Sequence, residues 1–182
     1  MTSDEIYEPT LSGGHKPGEI VVGVDGGPAA AAAVRWAAEQ SRLTGLPLCV
    51  VHAWQMSAFE AAAMAAGSGN TELFQAAGAN ARARATQWVR DVFGPEGNRF
   101  PWRLEIVEAP PGPALVAASR GAHLLVIGTR EHTGLRRAVL GSVSHYCLSH
   151  AQTPVVAVSA TQASPAKRTV NRDVFATPGP LL

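Results

Sequence analysis

The sequence predicts an α/β fold, a mainly parallel five-stranded sheet with helices on both faces. Three observations carry this. Short apolar runs alternate with helical patterns in the order β-α-β-α-β-α-β-α-β, and such alternation needs right-handed crossover helices between parallel strands. The first run, Glu19-Ile20-Val21-Val22-Gly23-Val24, has no polar alternation, which is how a strand covered on both faces reads. The first and fourth runs end in polar, glycine-bearing segments at Asp25 and Gly128. Ligands in open α/β sheets bind beyond the carboxyl ends of the strands, where strand order reverses. These two strands are therefore expected side by side at that switch point.

The elements follow in order. Asp25-Gly26-Gly27 is a turn, and Pro28 suits the first turn of the Ala-rich helix that runs to Leu43. Gly45 is placed as its C-cap. Leu48 to Trp54 is the second strand. Gln55 to Asn70 mixes small and polar residues with Phe59 and Met64 and reads as a mobile connection able to act as a lid. Thr71 to Phe93 has helical spacing, with Leu73, Ala77, Ala81, Ala85, Trp88, Val89 and Val92 on one face, and Gly94-Pro95 stops it. Trp102 to Val107 alternates Leu104 and Ile106 with Arg103 and Glu105, which marks a strand half exposed to water near a sheet edge. A short helix is expected from Pro113 to Arg120, a strand from Leu124 to Ile127, a helix from Ser142 to Ala151 and a strand from Val155 to Val158.

A length of 182 residues suits one domain with tails: a disordered segment at 1–18, a domain at 19–159 and a disordered tail at 160–182. A hydrophobic share of 46% is enough to bury a core. A net charge of +1, with 16% charged residues, lacks the electrostatic footprint of a nucleic-acid binder. No Lys/Arg run offers a polybasic membrane patch, and no stretch is apolar enough to span a bilayer. The acidic, polar start carries no apolar signal region, so a cytoplasmic location is expected. Cys49 and Cys147 have no metal-ligand spacing and read as buried small hydrophobes.

The stretch Leu124 to Ser142 is the most informative. A strand runs into Gly128, a polar loop follows, and Gly141-Ser142 opens the next helix. A strand, an unobstructed loop and a helix N-terminus with unpaired N–H groups make a cradle for an anion. Glu131 stands where such a loop prefers glycine. A carboxylate about 5 Å from a phosphate charge costs roughly 3 kcal/mol at an effective dielectric of 20. The cost falls if Glu131 points to solvent, if Arg130, Arg136 or Arg137 neutralises it, or if the ligand carries few charges.

The first strand ending in VGVDGG, the second ending in VVHAW, and the final LLVIGTREHTGLRRAVLGSVSHYCLSHAQTPVVAV resemble the universal stress protein domain over Glu19 to Ser159. Nucleotide-binding members carry Gly, two residues, Gly, nine residues, then Gly-Ser or Gly-Thr. Here Gly128, Glu131 and Gly141-Ser142 keep that spacing with the second glycine replaced. The resemblance implies a Rossmann-like, adenine nucleotide α-hydrolase-like fold. It also implies a homodimer paired through the last strand, Val155, Val156, Ala157 and Val158, and ATP or another adenine nucleotide as ligand. By position, Val24 and Asp25 would meet the adenine or ribose end, Ala53 would line the base pocket and Ile127 would offer backbone to the base. Gly128, Gly141, Ser142 and Val143 would hold phosphate and ribose groups, and Arg130 joins them as a loop cation.

Each residue also has a plainer role. Asp25 can close an Asx-turn or cap the Pro28 helix, and Ser142 can simply cap its own helix. His52 reads as a satisfied core histidine. His145 and His150 are five apart and do not share a helical face as metal ligands would. No Walker A lysine, no dinucleotide glycine motif and no Ser/His/Asp or Cys/His pairing is visible. With no general base in evidence, any ATP hydrolysis should be slow. The reading is a sensor or regulator that binds ATP, AMP or a cyclic nucleotide. The first rival is an interaction module without nucleotide that pairs with other stress-domain proteins. The second is an enzyme of a related fold, such as an ATP-pyrophosphatase-type ligase or an electron-transfer flavoprotein subunit. The lack of a Ser-Gly-Gly-x-Asp-Ser loop after the first strand argues against the ligase.

Overall fold

The computed structural model describes residues 18–55, 62, 65, 71–95, 101–129 and 141–160. The readings for the two termini, for the lid, and for Arg130, Glu131, Arg136 and Arg137 lie outside these residues. Among the described residues these elements alternate: β1 (Ile20–Gly23), α1 (Pro28–Thr44), β2 (Leu48–Trp54), α2 (Thr71–Phe93), β3 (Trp102–Glu108), α3 (Pro111–Ala118), β4 (Leu124–Thr129), α4 (Ser142–His150) and β5 (Val155–Ser159). The strands form one sheet in the order β3-β2-β1-β4-β5. Every neighbouring pair is parallel. As expected, β1 lies beside β4, with Ile20 opposite Leu124, and strand order reverses there.

Side chains leave the strands alternately to the two faces, and a core forms on each. Ile20, Val22, Leu48, Val50 and Val126 pack with Ala30, Ala33, Val34 and Ala37 of α1 and Val89 and Phe93 of α2. Val21, Cys49, Val51, Leu125 and Ile127 pack on the other face with Ala114 and Leu115 of α3 and Cys147 of α4. The alanines of α1 combine high helix propensity with low bulk, so the helix lies close to the sheet. Gly27 is its N-cap, Pro28 opens its first turn, and Gly45 closes it in the left-handed region at φ 72°, its N–H donating to Ser41 O at 2.9 Å. Both cysteines are free and buried. Burial pushes the Cys49 thiol up to about 12 and the Cys147 thiol up to about 11.

Three expectations need correction. The helix expected from Pro113 to Arg120 begins at Pro111 and ends at Ala118. Prolines need no N–H in a first turn, so Pro111 and Pro113 start this helix rather than delay it. The fourth strand extends through Gly128 to Thr129, paired with Val158 and Ser159, so Gly128 is a strand residue and not a loop bend. Finally, β3 is an edge strand as expected, but its charged side does not face water. Glu105 is only 5% exposed, and Glu19 only 2%. Arg103 donates to both carboxylates, at 2.7 Å to Glu19 and 2.9 Å to Glu105. Its guanidinium is shifted above its ordinary pKa, most strongly by the bond to Glu19. The alternation in β3 therefore separates an apolar side from a buried ion cluster.

Candidate functional site

The switch point between β1 and β4 opens into a cavity of about 230 Å³ at the carboxyl edge of the sheet. Eight of the nine residues expected to hold a nucleotide line it, and the ninth, Arg130, lies outside the described residues. The chain brings these eight together from four elements or their ends, β1, β2, β4 and α4.

Val24 and Asp25 follow β1. Val24 is buried, and its N–H donates to Val51 O at 2.9 Å, which extends the sheet by one residue. Asp25 is exposed, and its Oδ1 accepts from Gly27 N–H at 2.8 Å. That bond is the Asx-turn expected as its plainer role, and it fixes the carboxylate at the cavity rim. Ala53, half-buried on β2, and Ile127, buried on β4, make apolar walls.

Gly128 has a packing role that the sequence did not reveal. A Cβ there would lie 2.5 Å from the backbone carbon of Ala29 and 2.6 Å from its carbonyl oxygen. Only a glycine lets the first turn of α1 sit against β4. Gly141 is the N-cap of α4, extended at φ −67°, and its side faces open space. Ser142 occupies the first helical position and makes no capping bond, so the capping role expected of it belongs to Gly141 and is made without a side chain. The helical ladder begins with His145 N–H to Gly141 O at 2.9 Å. The N–H groups of Ser142, Val143 and Ser144 precede that ladder and have no acceptor within the helix. They carry the positive end of the α4 dipole into the cavity wall. Ser144 Oγ donates to Gly128 O at 3.2 Å and ties the helix start to the strand.

The cavity also uses residues that sequence reasoning missed. Ala29 and Ala30 of α1, and Pro111 and Leu115 of α3, complete its lining. Their signal is tertiary: Leu115 reaches the sheet because Gly23 has no side chain, and a Cβ there would lie 2.6 Å from Leu115 Cδ1. His52 is satisfied, as expected. Its Nδ1–H donates to Val24 O at 3.1 Å, and its ring lies on the opposite face of the sheet. Among the described residues no group of His, Cys, Asp and Glu could hold a metal ion. No helix there is long and apolar enough to cross a membrane.

The arrangement suits a ligand with an apolar planar part and an anionic part. The first would rest on Val24, Ala53 and Ile127, and the second would meet the N–H groups of α4.

Comparison with known proteins gives the same outline. The model of the universal stress protein family matches residues 18–159. A universal stress protein of Mycobacterium tuberculosis is 34% identical over 148 residues, which is 81% of this chain and 50% of that protein. The chain thus spans about half the length of the curated relatives it matches. Among the solved structures that share the fold are two with a nucleotide bound. One is the universal stress protein of Archaeoglobus fulgidus in complex with dAMP (TM-score 0.50, 23% identity, 84% of this chain and 98% of that one). The other is a family member from Arabidopsis thaliana with AMP bound (TM-score 0.52, 18% identity, 79% and 92%).

Proposed function

We propose that this chain, which belongs to the universal stress protein family, binds an adenine nucleotide at the β1–β4 switch point and acts as a sensor or regulator. The observation that carries the reading is the convergence of Val24, Asp25, Ala53, Ile127, Gly128, Gly141, Ser142 and Val143 on one cavity. The base would lie against Ala53 and Ile127, and the ribose hydroxyls would reach Asp25. The phosphate would meet Gly141, Ser142 and Val143. The relatives that share the fold and hold AMP and dAMP support the ligand class. Monophosphates suit Glu131 better than ATP does, because like-charge repulsion grows with phosphate count. Acid or heat release from freshly purified protein, with mass identification of what is released, tests the reading. Adenine nucleotide at near-stoichiometric yield is expected. Protein that releases none, and that AMP, cyclic AMP and ATP all fail to bind in calorimetry, would defeat it.

Glu131 favours a second reading, an interaction module that has given up nucleotide and pairs with copies of itself or with other stress-domain proteins. Glu131→Gly separates the two. If the site is a nucleotide site blunted by charge, the variant gains affinity for ATP more than for AMP. If neither nucleotide binds wild type or variant, the interaction reading stands. In both readings the homodimer is proposed to form through β5, an edge strand whose Ala157 is exposed. An uncovered edge presents unpaired N–H and C=O groups, and a two-fold copy would satisfy them.

A further inference from the structure

We infer a second ligand site on the opposite face of the sheet, between β2 and α2, built for a small planar aromatic compound carrying a single carboxylate. The cavity there measures about 520 Å³, more than twice the volume of the first. That falls in the usual range for small-molecule sites, about 300–1,000 Å³.

Its shape follows from residue size. Along β2, Leu48 and Val50 project into the core beneath α1 and α2. The next two positions on that side are His52 and Trp54, so the apolar row ends in two rings at the cavity. Facing them, Ala77, Ala81 and Ala85 recur every fourth residue on α2 and leave the space that larger side chains would fill. Trp88 closes the far wall. Trp54 is held against the helix where Gly78 leaves room; a Cβ at Gly78 would lie 3.4 Å from Trp54 Cζ2. Two indoles with small residues between them favour a flat aromatic guest, which packs edge-on or offset against such rings.

The polar groups set the charge. Val24 O can only accept, so the bond from His52 Nδ1 places the proton there and leaves Nε2 as an acceptor. Arg84 lines the cavity and bonds through Nε to Asn80 O at 3.4 Å. Among the described residues no carboxylate pairs with it. Its terminal nitrogens form a planar fork suited to a carboxylate. Asp25 borders this cavity as well as the first. Asp25 repels a multiply charged phosphate more strongly than a carboxylate, whose single charge Arg84 can offset.

Titration of the full chain with 2-naphthoate and with neutral 2-naphthamide, by calorimetry and tryptophan fluorescence, tests this. Saturable 2-naphthoate binding with a change in tryptophan emission is expected. Arg84→Gln should weaken 2-naphthoate by about tenfold and leave 2-naphthamide unchanged. Ala81→Phe should abolish both; Ala77→Leu, at a less buried wall position, serves if Ala81→Phe fails to fold. No saturable binding by wild type, or binding indifferent to both the Arg84 and the alanine variants, would overturn the inference. AMP titrated against the same samples keeps the two sites apart. Loss of 2-naphthoate binding with AMP affinity intact is expected of Ala81→Phe, and AMP failing alone would bear on the first site only.

Discussion

Arg103 holds two buried carboxylates at once, Glu19 from before β1 and Glu105 from its own strand. The pair of acids carries one more charge than the arginine, and Glu105 Oε1 has no hydrogen-bond partner. Glu105 Oε2 is also approached by Cys49 Sγ at 3.8 Å. Removing the cation would leave two unpaired charges in the interior. Arg103→Met should therefore destabilise the fold by about 3–5 kcal/mol, read from urea unfolding. Glu105→Gln, which removes one of the competing charges and keeps the shape, should cost much less. Equal losses for the two variants would mean that the cluster is wet rather than buried.

The two thiols predict an alkaline weakening. Their folded values lie above the ordinary 9.0, at about 12 for Cys49 and about 11 for Cys147. Between 9 and those values the unfolded chain has released its thiol protons and the folded chain has not. The unfolded state binds fewer protons there, so stability falls as pH rises, by about 1.4 kcal/mol per pH unit for each thiol. Below pH 9 the contribution is constant. Cys147→Ala should flatten the decline between pH 9 and 10.5 by one thiol's share, in denaturant melts compared across that range. An unchanged slope would show that Cys147 titrates normally in the folded protein.

Asp25 has a structural bond and a proposed ligand contact, and two substitutions tell them apart. Asp25→Ala removes both and should lower AMP affinity by about 1–3 kcal/mol. Asp25→Asn keeps an oxygen for the Gly27 N–H but removes the charge. If the charged carboxylate meets the ribose hydroxyls, Asn should fall between wild type and Ala in calorimetry. Wild-type affinity in all three proteins would take Asp25 out of the site.

The dimer prediction depends on which backbone groups of β5 face outward. Leu125 opposes Val155 and its N–H donates to Pro154 O at 2.9 Å. In a parallel ladder the other bond of Leu125 goes to Val156 N–H. Val156 thus points its N–H at β4, and Ala157 points its own at the free edge. Proline at 156 would break the monomer's sheet; proline at 157 would remove a donor only from the edge. Ala157→Pro should leave melting nearly unchanged and turn a dimer into a monomer by light scattering. A folded variant that stays dimeric would move the interface away from β5.

How much of this the sequence disclosed depends on the range of each signal. The β1 and β4 strands and their adjacency were legible because apolar runs ending in Asp25 and Gly128 are local patterns. The charged side of β3 is not legible as a buried cluster because Arg103 pairs with Glu19, 84 positions away, and no periodicity encodes that. Asp25, Gly128 and the Gly141-Ser142 start of α4 followed from position, whereas Val24, Ala53, Ile127 and Val143 followed from the resemblance to the family. Pro111 and Leu115 followed from neither, since their place depends on how α3 lies across Gly23. Nothing local marks Trp54 and Trp88 as cavity walls, since the space they border depends on Ala77, Ala81 and Ala85 lying opposite the strand end.

The contact between Gly128 and Ala29 bears on how sequences of this kind can be sorted. A glycine that the backbone of a neighbouring helix forbids from growing a side chain is kept by the monomer's own architecture, with or without a nucleotide. A descendant of this chain could abandon its ligand and still be unable to replace Gly128. Gly141, whose side faces open space, is under no such constraint. Of the two glycines that flank the loop, it is therefore the second whose drift would record the loss of binding.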